Sequence, residues 1–308
     1  FIKKFSMLTV DFRLAARSNK NNSIFLKKSL TYYFQDFKIS DFDLDGDKDI
    51  IAIRANNSPI LFESQILSGF PTFNSVYDIL PNIPPWGNRK IQAIEIIDFD
   101  SDGDGDILYS VDVLNPTPLS MLSDPSSSFS IYINGGNLQF TKYLIDSVAC
   151  SSFSPVDFDL DGDFDFVCGK ENTIYTLINN GNNNYIKTNI FLSALGIKDV
   201  LADDLDNDGD IDIISASEQD NTIRWYENIN PNSFIHHNID INSNHIGSIQ
   251  GLDYDLDGDI DIFTNSDKSF YNGYYISGYD QGMNPIYSFH PRSENPTIGI
   301  CLYQNDGG

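Results

Sequence analysis

The sequence Asp41-Phe42-Asp43-Leu44-Asp45-Gly46-Asp47-Lys48-Asp49-Ile50 recurs four more times, opening at Asp98, Asp157, Asp204 and Asp253, with every acidic position and the glycine kept. Few features constrain a fold more than five copies of so acidic a loop. Carboxylates packed within nine residues repel one another at roughly 1 kcal/mol or more per close pair, depending on the local dielectric. Such a loop is expected to curl around a cation. A hard divalent ion takes six to eight oxygens at about 2.3–2.6 Å, and alternate residues of a turning chain can aim their side chains at one centre. The glycine at position 6 (Gly46, Gly103, Gly162, Gly209, Gly258) sits where the chain turns sharply and a Cβ would obstruct it.

The candidate ligands are therefore Asp41, Asp43, Asp45, Asp47 and Asp49 in the first loop and Asp98, Asp100, Asp102, Asp104 and Asp106 in the second. The third offers Asp157, Asp159, Asp161, Asp163 and Asp165, the fourth Asp204, Asp206, Asp208, Asp210 and Asp212, and the fifth Asp253, Asp255, Asp257, Asp259 and Asp261. Position 7 is expected to act through its backbone carbonyl, its side chain tuning charge. The loops hold 25 of the 44 acidic residues and one of the 19 bases, Lys48, so the rest of the chain is nearly balanced, with 19 acids against 18 bases. The acidity is local to the loops, and calcium at five sites is the cofactor expected.

An EF-hand would place Glu at position 12 and flank the loop with helices. Here position 12 is Ala52, Tyr109, Cys168, Ser215 or Thr264, and the flanks, such as Asp49-Ile50-Ile51-Ala52-Ile53, read as short buried strands. The loops lie 57, 59, 47 and 49 residues apart, a period at or just beyond that of repeat arrays. The fourth unit is clearest. Val200 to Asp204 leads into the loop, Ile213 to Ser217 follows it, and Thr222 to Asn228 and Phe234 to Ile239 complete four strands, A to D. Four-stranded units repeated in this way are the blades of a β-propeller.

The loop, the C strand Ile223-Arg224-Trp225-Tyr226-Glu227-Asn228 and the Asn/Gly turns resemble the FG-GAP/VCBS repeats of integrin α-subunit heads and of many secreted proteins. The resemblance runs from about residue 25 to 308. It implies calcium held between strands A and B through positions 1, 3, 5 and 9 and the position-7 carbonyl, an extracellular or cell-surface location, and usually a binding role. Family propellers commonly have seven blades. Here calcium-loop blades are expected around residues 36–79, 91–146, 153–191, 199–240 and 248–308, in a single all-β domain over 1–308. Residues 1–30 supply closing strands and a candidate degenerate blade. Six blades is the expectation, with five or seven as alternatives. Phe1 to Lys4 reads as a D strand that completes the last blade, or that of a neighbouring molecule.

No apolar run is long enough to span a membrane, and no signal peptide is recognisable. Cys150 and Cys168 flank the third loop and are candidates for a disulfide, although simple hairpin register sets Cys168 nearer Pro155; Cys301 reads as a buried thiol. Asn21 and Asn56 lie in N-x-S triplets. Basic residues are few and form no stripe, which argues against nucleic acid.

Three long connections, Leu80 to Lys90, Asp112 to Ser128 and Ser266 to Pro296, fall at the blade ends opposite the acidic loops. Long connections tend to be functional. They offer Trp86 and Arg89, and Tyr271, Tyr274, Tyr275 and Tyr279, as candidates for binding a glycan or protein. The competing reading packs these aromatics into the channel or on neighbouring blades. Trp225, on a regular C strand, reads as core. No nucleophile-elbow, zincin or phosphate-loop signature is present, and His236, His237, His245 and His290 have no partner that marks a catalytic base. The expectation is an adhesion or recognition module without enzymatic activity. The alternatives are a structural subunit assembling an extracellular filament or surface layer by strand complementation, and, behind it, a polysaccharide lyase-like enzyme.

Overall fold

The computed structural model describes residues 10–17, 23–30, 34–54, 59–67, 70–77, 89–113, 127–136, 138–181, 184–191, 194–230, 233–241, 246–266, 273–279, 285–290 and 299–305. The chain divides into two compact units, Phe1–Val148 and Ala149–Gly308. The fold is all-β, of the β-propeller class, with antiparallel blades.

In the first unit, β1 (Val10–Arg17) and β2 (Ser23–Leu30) pair only with each other among the described residues. The first blade is β3 (Phe34–Ser40), β4 (Asp49–Arg54), β5 (Pro59–Leu67) and β6 (Phe70–Tyr77), in that spatial order. The second is β7 (Arg89–Ile97), β8 (Asp106–Val113), β9 (Ser128–Asn134) and β10 (Phe140–Asp146).

In the second unit, the third blade is β11 (Ser152–Val156), β12 (Asp165–Lys170), β13 (Thr173–Asn179) and β14 (Tyr185–Phe191). The fourth is β15 (Ile197–Asp203), β16 (Asp212–Ser217), β17 (Thr222–Asn230) and β18 (Ser233–Asp240). The fifth sheet holds β19 (Ile249–Leu252) and β20 (Asp261–Ser266), then β23 (Gly299–Tyr303). A separate hairpin, β21 (Gly273–Tyr279) with β22 (Pro285–His290), is inserted between β20 and β23.

Among the described residues there are five blades, not the six expected. β1 and β2 form a two-stranded pair rather than a blade, and the fifth repeat absorbs an inserted hairpin, so dividing length by repeat period overcounts. The 266–296 connection, read as a loop, thus contains β21 and β22. The closing role expected of Phe1 to Lys4 lies outside the described residues. So do Asn21, Asn56, His245, Trp86 and Tyr271. Arg89 opens β7, and Tyr274, Tyr275 and Tyr279 lie in β21 and His290 in β22; at these positions the backbone alone is described.

Burial follows the order of the strands. B and C strands are rich in apolar residues, with all of β16 and most of β12 and β13 buried, as expected of strands covered on both faces. The outer D strands β10 and β18 mix exposed and half-buried positions, with Ile145 of β10 the one buried residue in the two. Within each unit, adjacent blades share their cores. Phe42, Ile51 and Leu61 pack with Ile94, Ile107 and Tyr132; Val167 and Ile174 pack with Val200, Ile213 and Tyr226. Leu205, Ile214 and Ile223 pack with Ile249, Ile262 and Tyr303, and Trp225 lies against this last group as its strand position implies.

Cys150 and Cys168 are both buried thiols. Cys168 stands opposite Phe153 and Phe166 opposite Pro155, so the pairing is displaced by two residues from the simple register. Among the described residues no helix is long and apolar enough to cross a membrane.

Candidate metal centre

Each acidic loop joins strands A and B of one blade, and all five share one backbone path. Position 4 (Leu44, Ser101, Leu160, Asn207, Leu256) adopts a left-handed φ between 59° and 65°, and the position-6 glycine follows at 92° to 100°. Two left-handed residues two apart close the curl. An exposed leucine in this region is strained by about 1–2 kcal/mol, which the loop's own hydrogen bonds offset. The position-6 amide donates to Oδ2 of the position-1 aspartate at 3.0–3.2 Å in every copy. The position-7 amide donates to Oδ1 of position 5 at 2.9–3.1 Å.

Three carboxylates converge in each loop, with one oxygen from each lying within 4.8 Å of the other two. The sets are Asp41, Asp43 and Asp45; Asp98, Asp100 and Asp106; Asp157, Asp159 and Asp165; Asp204, Asp206 and Asp208; and Asp253, Asp255 and Asp261. Positions 1 and 3 appear in all five. Position 5 completes the first and fourth sets, and position 9 the others. The position-7 residues Asp47, Asp104, Asp163, Asp210 and Asp259 belong to none of them, nor do Asp49, Asp102, Asp161, Asp212 and Asp257.

Position 9 carries a duty that sequence reasoning missed. Its side chain is fully buried in all five loops. One oxygen accepts the amide near the end of the C strand: Ser64, Asn134, Asn179, Asn228 or Asn305, at 2.7–2.8 Å. In four loops the other accepts the position-2 amide, from Phe42, Phe99, Phe158 or Tyr254, at 2.8–3.0 Å. The same aspartate thus ties loop to strand and faces the carboxylate cluster. The sequence signal is the asparagine that closes four of the five C strands. Two of these asparagines also reach the preceding blade, Asn134 Nδ2 donating to the Phe42 carbonyl at 2.6 Å and Asn305 Nδ2 to that of Leu205 at 2.7 Å.

Burial raises the pKa of these carboxyls. It pushes Asp49, Asp106 and Asp165 to about 6 and Asp212 to about 7 despite the opposing amides, and neighbouring acids add to the effect. Asp104 rises to about 7 through burial and then Asp102, Asp106 and Asp100. Asp43 is raised by burial, then Asp45 and Glu63; Asp206 by burial, then Asp208 and Glu227.

The loops fit a cation by their own chemistry. Oδ1 of Asp41, Asp104, Asp163 and Asp204 is buried without a hydrogen-bond partner, and a desolvated anionic oxygen is costly unless something positive faces it. An all-oxygen, all-carboxylate set suits a hard divalent ion.

Two overlapping stretches, residues 157–215 and 204–264, each match the FG-GAP-like repeat. Each runs from one acidic loop through the next blade's A and B strands. Over residues 157–264 the chain is therefore similar to FG-GAP-like repeats. No curated protein matches it. Among solved structures, an Agrocybe aegerita lectin described for specific recognition of non-reducing terminal N-acetylglucosamine is similar at 13% identity and a TM-score of 0.43, over 97% of this chain and 91% of that one. The Dos1 propeller is similar at 14% identity and a TM-score of 0.44, over 74% of this chain and 54% of that one. The chain spans about half the length of the second.

His236 is exposed, whereas His237 Nε2 lies 2.7 Å from Glu227 Oε2 and its ring stacks on Trp225 with centroids 4.8 Å apart.

Proposed function

We propose that this protein is a calcium-stabilised β-propeller that serves outside the cell as an adhesion or recognition module for a glycan or protein, without enzymatic activity. The observation that carries the calcium reading is the fivefold convergence of carboxylates, with buried oxygens that no hydrogen-bond donor meets. Calcium would be held through positions 1, 3, 5 and 9 with the position-7 carbonyl, at up to five sites. Sites of this kind in extracellular modules bind at about 10⁻⁴–10⁻³ M, which suits an extracellular location.

The recognition reading rests on where the chain spends its longest connections. Those between β6 and β7, β8 and β9, and β20 and β23 all leave the sheet end opposite the acidic loops. In each unit the loop end of the sheets would hold ions, and the opposite end would be left for a ligand.

The test is a glycan array probed with the calcium-loaded full chain beside the same chain carrying W86A and Y274A. Binding to a defined glycan that the double variant loses supports the reading. Binding that the variant retains moves the ligand site elsewhere, and turnover of an anionic polysaccharide by the wild type would contradict the non-enzymatic role.

A further inference from the structure

We infer that Glu63 and Glu227 lend an additional carboxylate to the acidic loops of the first and fourth blades and make these two the tight members of a set of five calcium sites. The inference rests on the calcium reading above and sorts its sites into two classes.

A single C-strand position distinguishes the blades. In every blade, position 9 of the loop binds the amide of one C-strand residue, and the residue before it is Glu63, Ile133, Ile178, Glu227 or Gln304. All five of these preceding side chains are half-buried. In the fifth blade the contact is direct: Gln304 Nε2 donates to Oδ2 of Asp255, the position-3 carboxylate. A side chain at this place therefore reaches position 3 of its own loop. In the first and fourth blades it is a glutamate, electrostatically in contact with Asp43 and Asp206 respectively. An amide at this place satisfies the position-3 oxygen, whereas a carboxylate repels it and asks for a cation.

The loops divide along the same line. Where the preceding residue is glutamate, the convergent set is positions 1, 3 and 5; where it is isoleucine or glutamine, the set is positions 1, 3 and 9. His237 orients Glu227 from the adjacent D strand, its Nε2 2.7 Å from the carboxylate. The added charge favours a doubly charged ion by direct attraction and falls off with distance and screening. Ligand charge count is a recognised means of tuning calcium affinity.

The experiment is calorimetric titration of calcium into the chelator-stripped full chain. The wild type should show two tight sites about tenfold stronger than the remaining three, the scale of one partly screened charge. Glu63→Gln and Glu227→Gln, alike in shape, should each remove one tight site, and the double variant should leave a single weak class. Ile133→Glu should add a third tight site, and this gain keeps the test decisive if a glutamine variant folds poorly. Five equivalent sites in the wild type, or glutamine variants with the wild-type isotherm, would overturn the inference while leaving calcium binding intact. A wild type that takes up no calcium would overturn both.

Discussion

Asp165 shows how much one side chain does in this fold. Its Oδ1 holds the Asn179 amide at 2.7 Å and its Oδ2 the Phe158 amide at 2.8 Å, while the carboxylate also belongs to the convergent set of the third loop. Asp165→Asn would turn an NH₂ group toward a buried amide, at about 1–3 kcal/mol. We predict a loss of that size in denaturant melts even with chelator present. Asp159→Asn, at the exposed position 3 of the same loop, should leave the chelated protein's melt no lower, since it relieves repulsion from Asp161 and Asp157, and should lower only the calcium-loaded one. The two variants together separate the structural role from the ionic one.

Proton linkage adds a second prediction at this scale. In the metal-free chain Asp49, Asp106 and Asp165 titrate at about 6 and Asp104 and Asp212 at about 7, against an ordinary 3.8. Folded pKa values above unfolded ones mean that the native state binds more protons between about pH 4 and 7. Stability from these groups is present below about pH 4 and is lost as pH rises through about 6 to 7. Melting in chelator should therefore occur at a higher temperature at about pH 5 than at about pH 7.5. With calcium the order should reverse, because protons compete with the ion. Parallel pH trends with and without calcium would refute this.

At the scale of the element, blades are joined by close packing and by side-chain amides. A Cβ on Gly169 would lie 2.6 Å from Ile197 Cγ2 and 3.0 Å from Val200 Cγ1, both buried on the next A strand. Gly169→Ala should cost about 1–3 kcal/mol by overpacking, read as a lower urea midpoint at unchanged slope. Asn134→Ala should cost a similar amount, since it strands the Phe42 carbonyl.

These same elements mark where the sequence was legible. The repeated A–B loop, the β-branched B strands and the four-strand blade could be read directly, because ten residues recur with their acids and glycine kept, and short apolar runs suit strands covered on both faces. The brace made by Asp49 and its equivalents could not. An oxygen aimed at an amide and one aimed at its neighbouring carboxylates look alike in sequence, and only the three-dimensional path shows that one aspartate accepts two amides while its side chain lies beside the other loop acids. The β21–β22 hairpin was hidden by Gly273 and Gly278, although Tyr274-Tyr275-Ile276 and Ile286-Tyr287-Ser288-Phe289 are strong strand formers. Blade number was misread for the same reason, since an insertion inside one repeat imitates part of another.

For the molecule as a whole, the five loops concentrate charge in an otherwise balanced chain. An ion bound only by the folded state stabilises it by RT ln(1 + [L]/Kd) at each site, about 2.7 kcal/mol when calcium is a hundredfold above Kd. Five such contributions would exceed the stability left to many domains. The most direct test is differential scanning calorimetry of the full chain at about pH 7.5 in millimolar calcium and again in excess EDTA. Cations seated in the acidic loops predict a transition at least about 10 °C lower in EDTA, restored by adding calcium back. Superimposable transitions in the two buffers would contradict a fold held by ions.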